Sequence, residues 1–316
     1  MSRFTPLGAR LAAAGAALAV TCALTAGTAQ ATEDRETYPV GGVGTALKNY
    51  ALSPDKVAGA NDWNCKPSGE HRKPVVLVHG TFFNSGANWV ALSPMLANAG
   101  YCVFTFNYGM HPLLSLNRVG GLKSVASSGE QMKAFVDKVL KATGAQEVDV
   151  VGHSQGGLVA NYYLKRLGGA DKVDVNIGLA PSNHGTTLSG LTTLAEKLHL
   201  LGFVNGLFDF AGTQGVKDQI VDSDFQRELF ADGDTVPGVR YVVVATTKDW
   251  VVTPYKNAFL QGAGVENITL QDQCPDDPAS HIGLFNDSPT LQNVLNELGP
   301  DVPDFKPECK DYGLVL

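Results

Sequence analysis

From residue 74 onward, short apolar runs alternate with stretches whose apolar residues recur every three or four positions. Val75-Val76-Leu77-Val78 is continuous and rich in β-branched residues, the pattern of a parallel strand covered on both faces. Residues 101–106 form a second such run, reached through a short helical stretch around 89–98. Ser128 and Gln131 have the spacing of a capping box, which predicts a helix carrying the stripe Met132, Phe135, Val136, Val139 and Leu140 and ending at Gly144. Residues 148–151 read as a strand and 155–167 as a helix stopped by Gly168 and Gly169. Further strands are predicted at 173–179, 241–245 and 268–270. The last helix has Ser288 as N-cap, Pro289 at its first position, the stripe Leu291, Val294, Leu295 and Leu298, and Gly299 past its end.

Strands that alternate with helices predict an α/β chain, with a mostly parallel central sheet flanked by helices. Residues 32–70 carry few patterns and read as an arm over the core. Residues 185–235 interrupt the alternation with Leu188, Leu191, Leu194, Leu198, Leu200, Leu201, Phe203, Leu207, Phe208 and Phe210. An insertion after a strand lies at the carboxyl end of the sheet, where sites form. Its leucines fit either a helix packed on the core or, as its position favours, a lid or the wall of an apolar pocket. Leu113, Leu114 and Leu116 are candidates for the facing wall. No repeat or long linker divides residues 32–316, so they are expected to form a single domain.

The first thirty residues belong to a different class. Arg3 and Arg10 precede an apolar run, and Ala29-Gln30-Ala31 has the form of a cleavage site. Residues 1–31 therefore read as a secretory signal peptide, and no later stretch approaches a membrane span. Cleavage would take the formal charge of the 316-residue chain from −7 to −9, because two arginines and no acids leave. So acidic a surface argues against nucleic acid and against anionic lipid as partners. Four of the five cysteines remain, enough for two disulfides with three possible pairings. Cys65–Cys102 and Cys274–Cys309 are favoured, since each fastens a peripheral segment to a structured one. No C-x2-C pair suggests zinc.

Gly152-His153-Ser154-Gln155-Gly156 matches G-x-S-x-G between a predicted strand and helix, the context of a nucleophile elbow. A serine hydroxyl needs a base, and the chain order of such sites is Ser, then acid, then His. Of the histidines after Ser154, His199 sits in the apolar insertion and His184 lies early in the chain. His281 lies beyond the core strands, in the loop before the last helix. Asp249 follows the 241–245 strand and is the candidate acid; Asp232, Asp234, Asp272, Asp276 and Asp277 fall in acidic clusters that read as solvated loops. The backbone N–H of Gln155 and a donor from the loop His79-Gly80-Thr81-Phe82 are expected to form an oxyanion hole. Thr81 is preferred, with an extra hydrogen bond available from its hydroxyl, and Phe82 is the alternative. No metal is assigned; calcium at Asp272, Asp276 and Asp277 is weighed against an exposed acidic turn, which is preferred.

Leu77-Val78-His79-Gly80-Thr81, the elbow at 152–157, TKDWVVTP at 247–254 and Ser280-His281-Ile282-Gly283 together resemble the lipase class 2 family of secreted actinobacterial lipases and esterases. The resemblance spans most of residues 65–310 and extends to Candida antarctica lipase B. It implies an α/β-hydrolase fold and ester hydrolysis without a cofactor, often on acylglycerols. It also supports Thr81 and Gln155 as oxyanion donors and the favoured cysteine pairing. His79 departs from it, where lipase B has proline. The resulting expectation is a secreted triacylglycerol lipase, monomeric, whose partner is an ester or lipid substrate, sometimes at a lipid–water interface. A short-chain or cutinase-like polyester esterase and a non-catalytic binding protein on the same scaffold are the alternatives.

Overall fold

Valine dominates the sheet: β1 (Val75–Val78), β2 (Val103–Phe106), β3 (Val148–His153), β4 (Val173–Leu179), β5 (Arg240–Ala245) and β6 (Val265–Thr269). They pair in parallel in the order β2-β1-β3-β4-β5-β6. This is a computed structural model, and it describes residues 37–111, 116–200, 213–300, 302 and 304–315, apart from the side chains of Leu188 and Leu200. The chain divides into Met1–Arg35 and Glu36–Leu316, and the described residues all belong to the second unit. The expected export signal, Leu113, Leu114 and the apolar residues of 201–210 lie outside them.

Parallel pairing forces helical crossovers, and these cover both faces of the sheet. On one face Val76, Val78, Val148, Val150 and Val243 meet α4 (Val125–Thr143) and α5 (Gln155–Arg166) through Met132, Val136, Val139, Leu158 and Tyr163. On the other, Val75, Leu77, Val151, Ile177 and Val244 meet α3 (Leu92–Asn98) and α10 (Ser288–Leu298) through Leu92, Leu96, Leu291 and Val294. Each such side chain contributes roughly 1.5–3 kcal/mol when fully buried. Cys65 is joined to Cys102 and Cys274 to Cys309. Among the described residues no helix is long and apolar enough to cross a membrane.

Several boundaries differ from the sequence reading. The 32–70 arm contains a helix, α1 (Val43–Leu52), which buries Ala46 and Tyr50; only two buried positions make its pattern faint. The stretch at 89–98 contains one helix, α3, and a separate short helix, α2 (Ser85–Asn88), precedes it. Helix α4 begins a turn early. Its N-cap is Ser124, whose side chain accepts from Ser127 N–H, while the expected cap Ser128 lies inside the helix and donates to the Ser124 carbonyl. Asp218 accepts from Val125 N–H, so a carboxylate from the insertion completes that helix end. The last helix is capped by Asp287 rather than Ser288. The strand placed at 268–270 runs over Val265–Thr269, and Leu270 opens α9 (Leu270–Gln273).

The insertion contains α6 (Leu188–Leu200), α7 (Gln214–Lys217) and α8 (Asp224–Phe230). Leu191, Leu194 and Leu198 are buried in a third apolar cluster with Phe82, Val119, Leu122, Val251, Ile282 and Phe285. The sheet is doubly wound about β1: the chain goes outward to β2 and then returns to β3 on the other side. The strand order reverses there, so the loops after β1 and β3 meet at a switch point. In urea titrations Ser124→Ala should lower stability by about 1 kcal/mol, while Ser128→Ala should stay within about 0.5 kcal/mol, since its back-bond supports no cap.

Candidate active site

Val78 pairs with Gly152, which brings the continuation of β1, His79-Gly80-Thr81, beside His153 and Ser154. A Cβ on Gly80 would lie 3.2 Å from Ser154 Cβ, so the two loops are nearly touching. Ser154 has φ 53° and ψ −123°, a conformation unfavourable for an L-residue. It is held there by its N–H bond to the Leu179 carbonyl, 2.9 Å, and by the packing of the turn. A Cβ on Gly152 would lie 2.5 Å from Gly157 N, and one on Gly156 would collide with the Val78 carbonyl. The glycines let strand, turn and helix close on one another.

The structure brings Ser154, His281 and Asp249 into one row. Ser154 Oγ lies 3.0 Å from His281 Nε2, and Asp249 Oδ2 lies 2.8 Å from His281 Nδ1. A carboxylate can only accept, so Nδ1 carries the proton and Nε2 is free to accept from the serine hydroxyl. Asp249 Oδ1 accepts from Val251 and Val252 N–H, each at 2.8 Å. All three residues are buried, with Ser154 only 2 % exposed. The His281 loop is fixed from several sides. Thr246 Oγ1 donates to the Ala279 carbonyl, tying it to the Asp249 turn. Ser280 N–H and Oγ donate to the Leu314 carbonyl, so the C-terminal tail straps it, and the Cys274–Cys309 disulfide joins the tail to the segment before His281.

The two candidate donors in the loop after β1 differ in their hydrogen bonding. Phe82 N–H is engaged by the Gly120 carbonyl at 3.0 Å. Among the described residues Thr81 N–H donates to no backbone carbonyl, and Gln155 N–H opens α5, where no intrahelical acceptor exists. The Thr81 hydroxyl, expected as an extra donor to the site, instead donates to Gln219 Oε1 at 3.1 Å. His79 Nδ1 donates to the Gly80 carbonyl at 2.9 Å, and its Nε2 accepts from Tyr108 N–H at 3.3 Å. Burial pushes this imidazole down to about 4, which keeps it neutral in that role. Its bond turns the Gly80–Thr81 peptide so that the Thr81 N–H points the other way. Gln155 Nε2 donates to the Gly121 and Gly215 carbonyls, linking the elbow to both neighbouring loops.

The other candidates lie elsewhere. His184 pairs with Asp234 at 3.2 Å, and Asp232 with Lys165 at 2.7 Å. Asp272 and Asp276 are exposed, but Asp277, expected in a solvated turn, is buried, with Oδ1 accepting from Ala279 N–H and Oδ2 unpartnered. Among the described residues no three His, Cys, Asp or Glu side chains could hold a metal. Gln219, Asn88 and the tail are contributions that no local pattern announces, whereas His153 and Gln155 stood inside the elbow motif.

The sequence profile of the family described as Lipase (class 2) matches residues 72–287. A triacylglycerol lipase of Pseudarthrobacter phenanthrenivorans is 36 % identical over 99 residues, covering 29 % of this chain and 28 % of that protein. One of Burkholderia plantarii is also 36 % identical over 99 residues, covering 29 % and 25 %. The chain thus spans about a quarter of the length of these curated relatives. Aspergillus fumigatus lipase B superposes with a TM-score of 0.58 at 23 % identity, covering 77 % of this chain and 56 % of that one. A mature Bacillus licheniformis lipase gives 0.54 at 19 % identity, covering 74 % and 94 %. At these identities the likeness carries the fold, which is the α/β-hydrolase fold.

Burial pushes Asp277 from the ordinary 3.8 to about 6, with the Asp287 charge adding to it and the Ala279 N–H opposing it. Between about pH 4 and 6 the folded protein therefore holds a proton there that the unfolded chain has released, so stability falls as pH rises through that window. Above it the cost of the buried charge stands in full. Asp277→Asn should flatten the slope between pH 4 and 6 and raise Tm at pH 8 by roughly 2–4 °C. Thermal melts across pH would show it, and an unchanged slope would contradict it.

Proposed function

The chain belongs to the lipase class 2 family, and on that premise we propose that it is an exported serine carboxylic-ester hydrolase acting on acylglycerols through an acyl-enzyme at Ser154. The observation that carries this reading is the hydrogen-bonded row Ser154–His281–Asp249 beside two N–H groups, of Thr81 and Gln155, that have no acceptor among the described residues. Ser154 Oγ attacks the ester carbonyl as its proton passes to His281 Nε2, forming the bond to carbon and placing negative charge on the former carbonyl oxygen. Thr81 and Gln155 N–H hold that oxyanion. Asp249 keeps His281 in the Nδ1–H tautomer and stabilises the imidazolium. The C–O bond then breaks, and His281 gives its proton to the leaving alcohol. Water, deprotonated by His281, hydrolyses the acyl-enzyme through the same steps in reverse and restores the serine.

Residues 1–31 act as the export signal, and residues 32–316 form the single mature domain. Two disulfides suit that destination. The acyl chain lies against the α6 side of the site, because Leu191, Leu194 and Leu198 share a cluster with Phe82 beside Thr81, Val251 beyond Asp249, and Ile282 beside His281. So apolar a surround suits an acyl chain better than a sugar or peptide. Both curated relatives are triacylglycerol lipases, which favours a triacylglycerol substrate over the short-chain or polyester alternative. A binding protein on this scaffold would be expected to lack a member of the row, and none is missing.

A fluorophosphonate probe should label the protein at one serine, and Ser154→Ala should abolish labelling and lower kcat by about 10⁶-fold. An adduct on another serine would move the nucleophile; no adduct would favour the binding protein. A p-nitrophenyl ester series from acetate to palmitate, with a triglyceride emulsion, separates the two hydrolase readings: activity confined to acetate and butyrate would make it a short-chain esterase.

A further inference from the structure

The elbow contains a second imidazole that the reaction above does not use. His153, directly before Ser154, is 1 % exposed, and its Nε2 lies 3.1 Å from the carbonyl oxygen of His281. Its Nδ1 lies 3.1 Å from Asn88 Oδ1, and that same oxygen accepts the Gly80 N–H at 2.8 Å. Asn88 is fully buried, and the two imidazole rings stand 5.3 Å apart. One side chain therefore stands between the backbone that carries the base and the backbone that leads into Thr81.

Both ring nitrogens of His153 face acceptors. Burial, with the nearby His281 adding to it, pushes the ring down to about 3, so it is neutral and holds one proton. A carbonyl only accepts, so the contact with His281 is a hydrogen bond only when that proton is on Nε2. The Asn88 oxygen is already engaged by Gly80 N–H, whereas among the described residues the His281 carbonyl accepts from no other donor. Asn88 Nδ2 is buried without a partner; turning the amide would offer it to His153 Nδ1 at the expense of the Gly80 bond.

We propose that His153 is a positioning residue: in its Nε2–H tautomer it donates to the His281 carbonyl and so fixes the base against Ser154. This rests on the reading of Ser154 and His281 as nucleophile and base. Its consequence follows from how steeply rate depends on placement: a shift of about 1 Å can cost about 10²-fold. A purely structural hydrogen bond would cost stability with no selective effect on turnover.

The test compares the full-length protein with His153→Phe, which keeps a flat ring without a donor, and His153→Gln, which restores a donor. Thermal melts establish folding, and steady-state hydrolysis of p-nitrophenyl butyrate separates kcat from KM. We expect the folded Phe variant to lose at least tenfold in kcat with KM within threefold, and the Gln variant to recover most of that loss. A folded Phe variant with kcat within twofold of the parent, a loss confined to KM, or a Gln variant no better than Phe would overturn the proposal. Should the Phe variant not fold, ¹⁵N-histidine spectra of the unaltered protein decide: a proton on Nε2 of His153 supports the assignment, and one on Nδ1 overturns it. If the unaltered protein neither hydrolyses esters nor takes the fluorophosphonate, the hydrolase reading fails instead.

Discussion

At Gly156 the first turn of α5 passes so close to the end of β1 that a Cβ would strike the Val78 carbonyl. That approach exists because β1 and β3 are neighbours in a parallel sheet and the chain leaves them in opposite directions. Everything chemical sits on top of it. The turn at Ser154 must be sharp, which places an L-residue at φ 53°. Such a conformation costs of order 1–3 kcal/mol and persists only where the surroundings over-determine it. Here they do: β4 holds the Ser154 N–H, Gly157 packs on Pro181, and β1 delivers Gly80 against Ser154.

Ser154, the proposed nucleophile, is thus placed by short-range geometry, but His281, its proposed base, is not. His281 is 127 residues away in sequence, on a loop with no regular structure at the histidine itself. A loop is a poor platform for a group that must be held within a fraction of an ångström, and the fold compensates with cross-links. Thr246 ties it to the acid, Ser280 to the tail, Gly283 is packed against Leu314, and His153 reaches the His281 carbonyl. The tail is itself fastened by Asp287 accepting from Gly313 N–H and by the disulfide at Cys309. A base mounted on a loop thereby gains the rigidity of the core.

This division also explains what could be read from the sequence. The strands, the elbow and the glycines that permit it depend on neighbours a few positions apart, so Val75–Val78 and Gly152–Gly157 announce themselves. Ser128 misled because a serine three residues before a glutamine looks like a cap anywhere, while the true end at Ser124 is completed by Asp218 from a distant helix. Asp277 read as solvated because neighbouring Asp276 and Asp272 are acidic; its burial comes from packing in three dimensions, which composition does not encode. Gln219 takes the Thr81 hydroxyl from 138 residues away, and no spacing rule connects them. The order Ser154, Asp249, His281 could be expected from the sequence because each lies beyond the carboxyl end of a strand, with His281 past the last one.

The insertion raises a question of energy rather than of pattern. A lid that opens in water exposes its apolar face, so a freely swinging lid should have little of that face committed to the core. Leu191, Leu194 and Leu198 of α6 are instead 1 %, 1 % and 0 % exposed. Returning three such side chains to water would cost roughly 5–9 kcal/mol. That is comparable to the whole stability of an ordinary domain, about 5–15 kcal/mol. Since Ser154 is itself nearly covered, a route to it that displaces α6 is strongly uphill unless another apolar surface receives the leucines. A dissolved short-chain ester offers no such surface, whereas an aggregated lipid does. On the proposed function, a route that displaces α6 would therefore depend on the physical state of the ester, because Leu191, Leu194 and Leu198 would need an apolar surface to receive them.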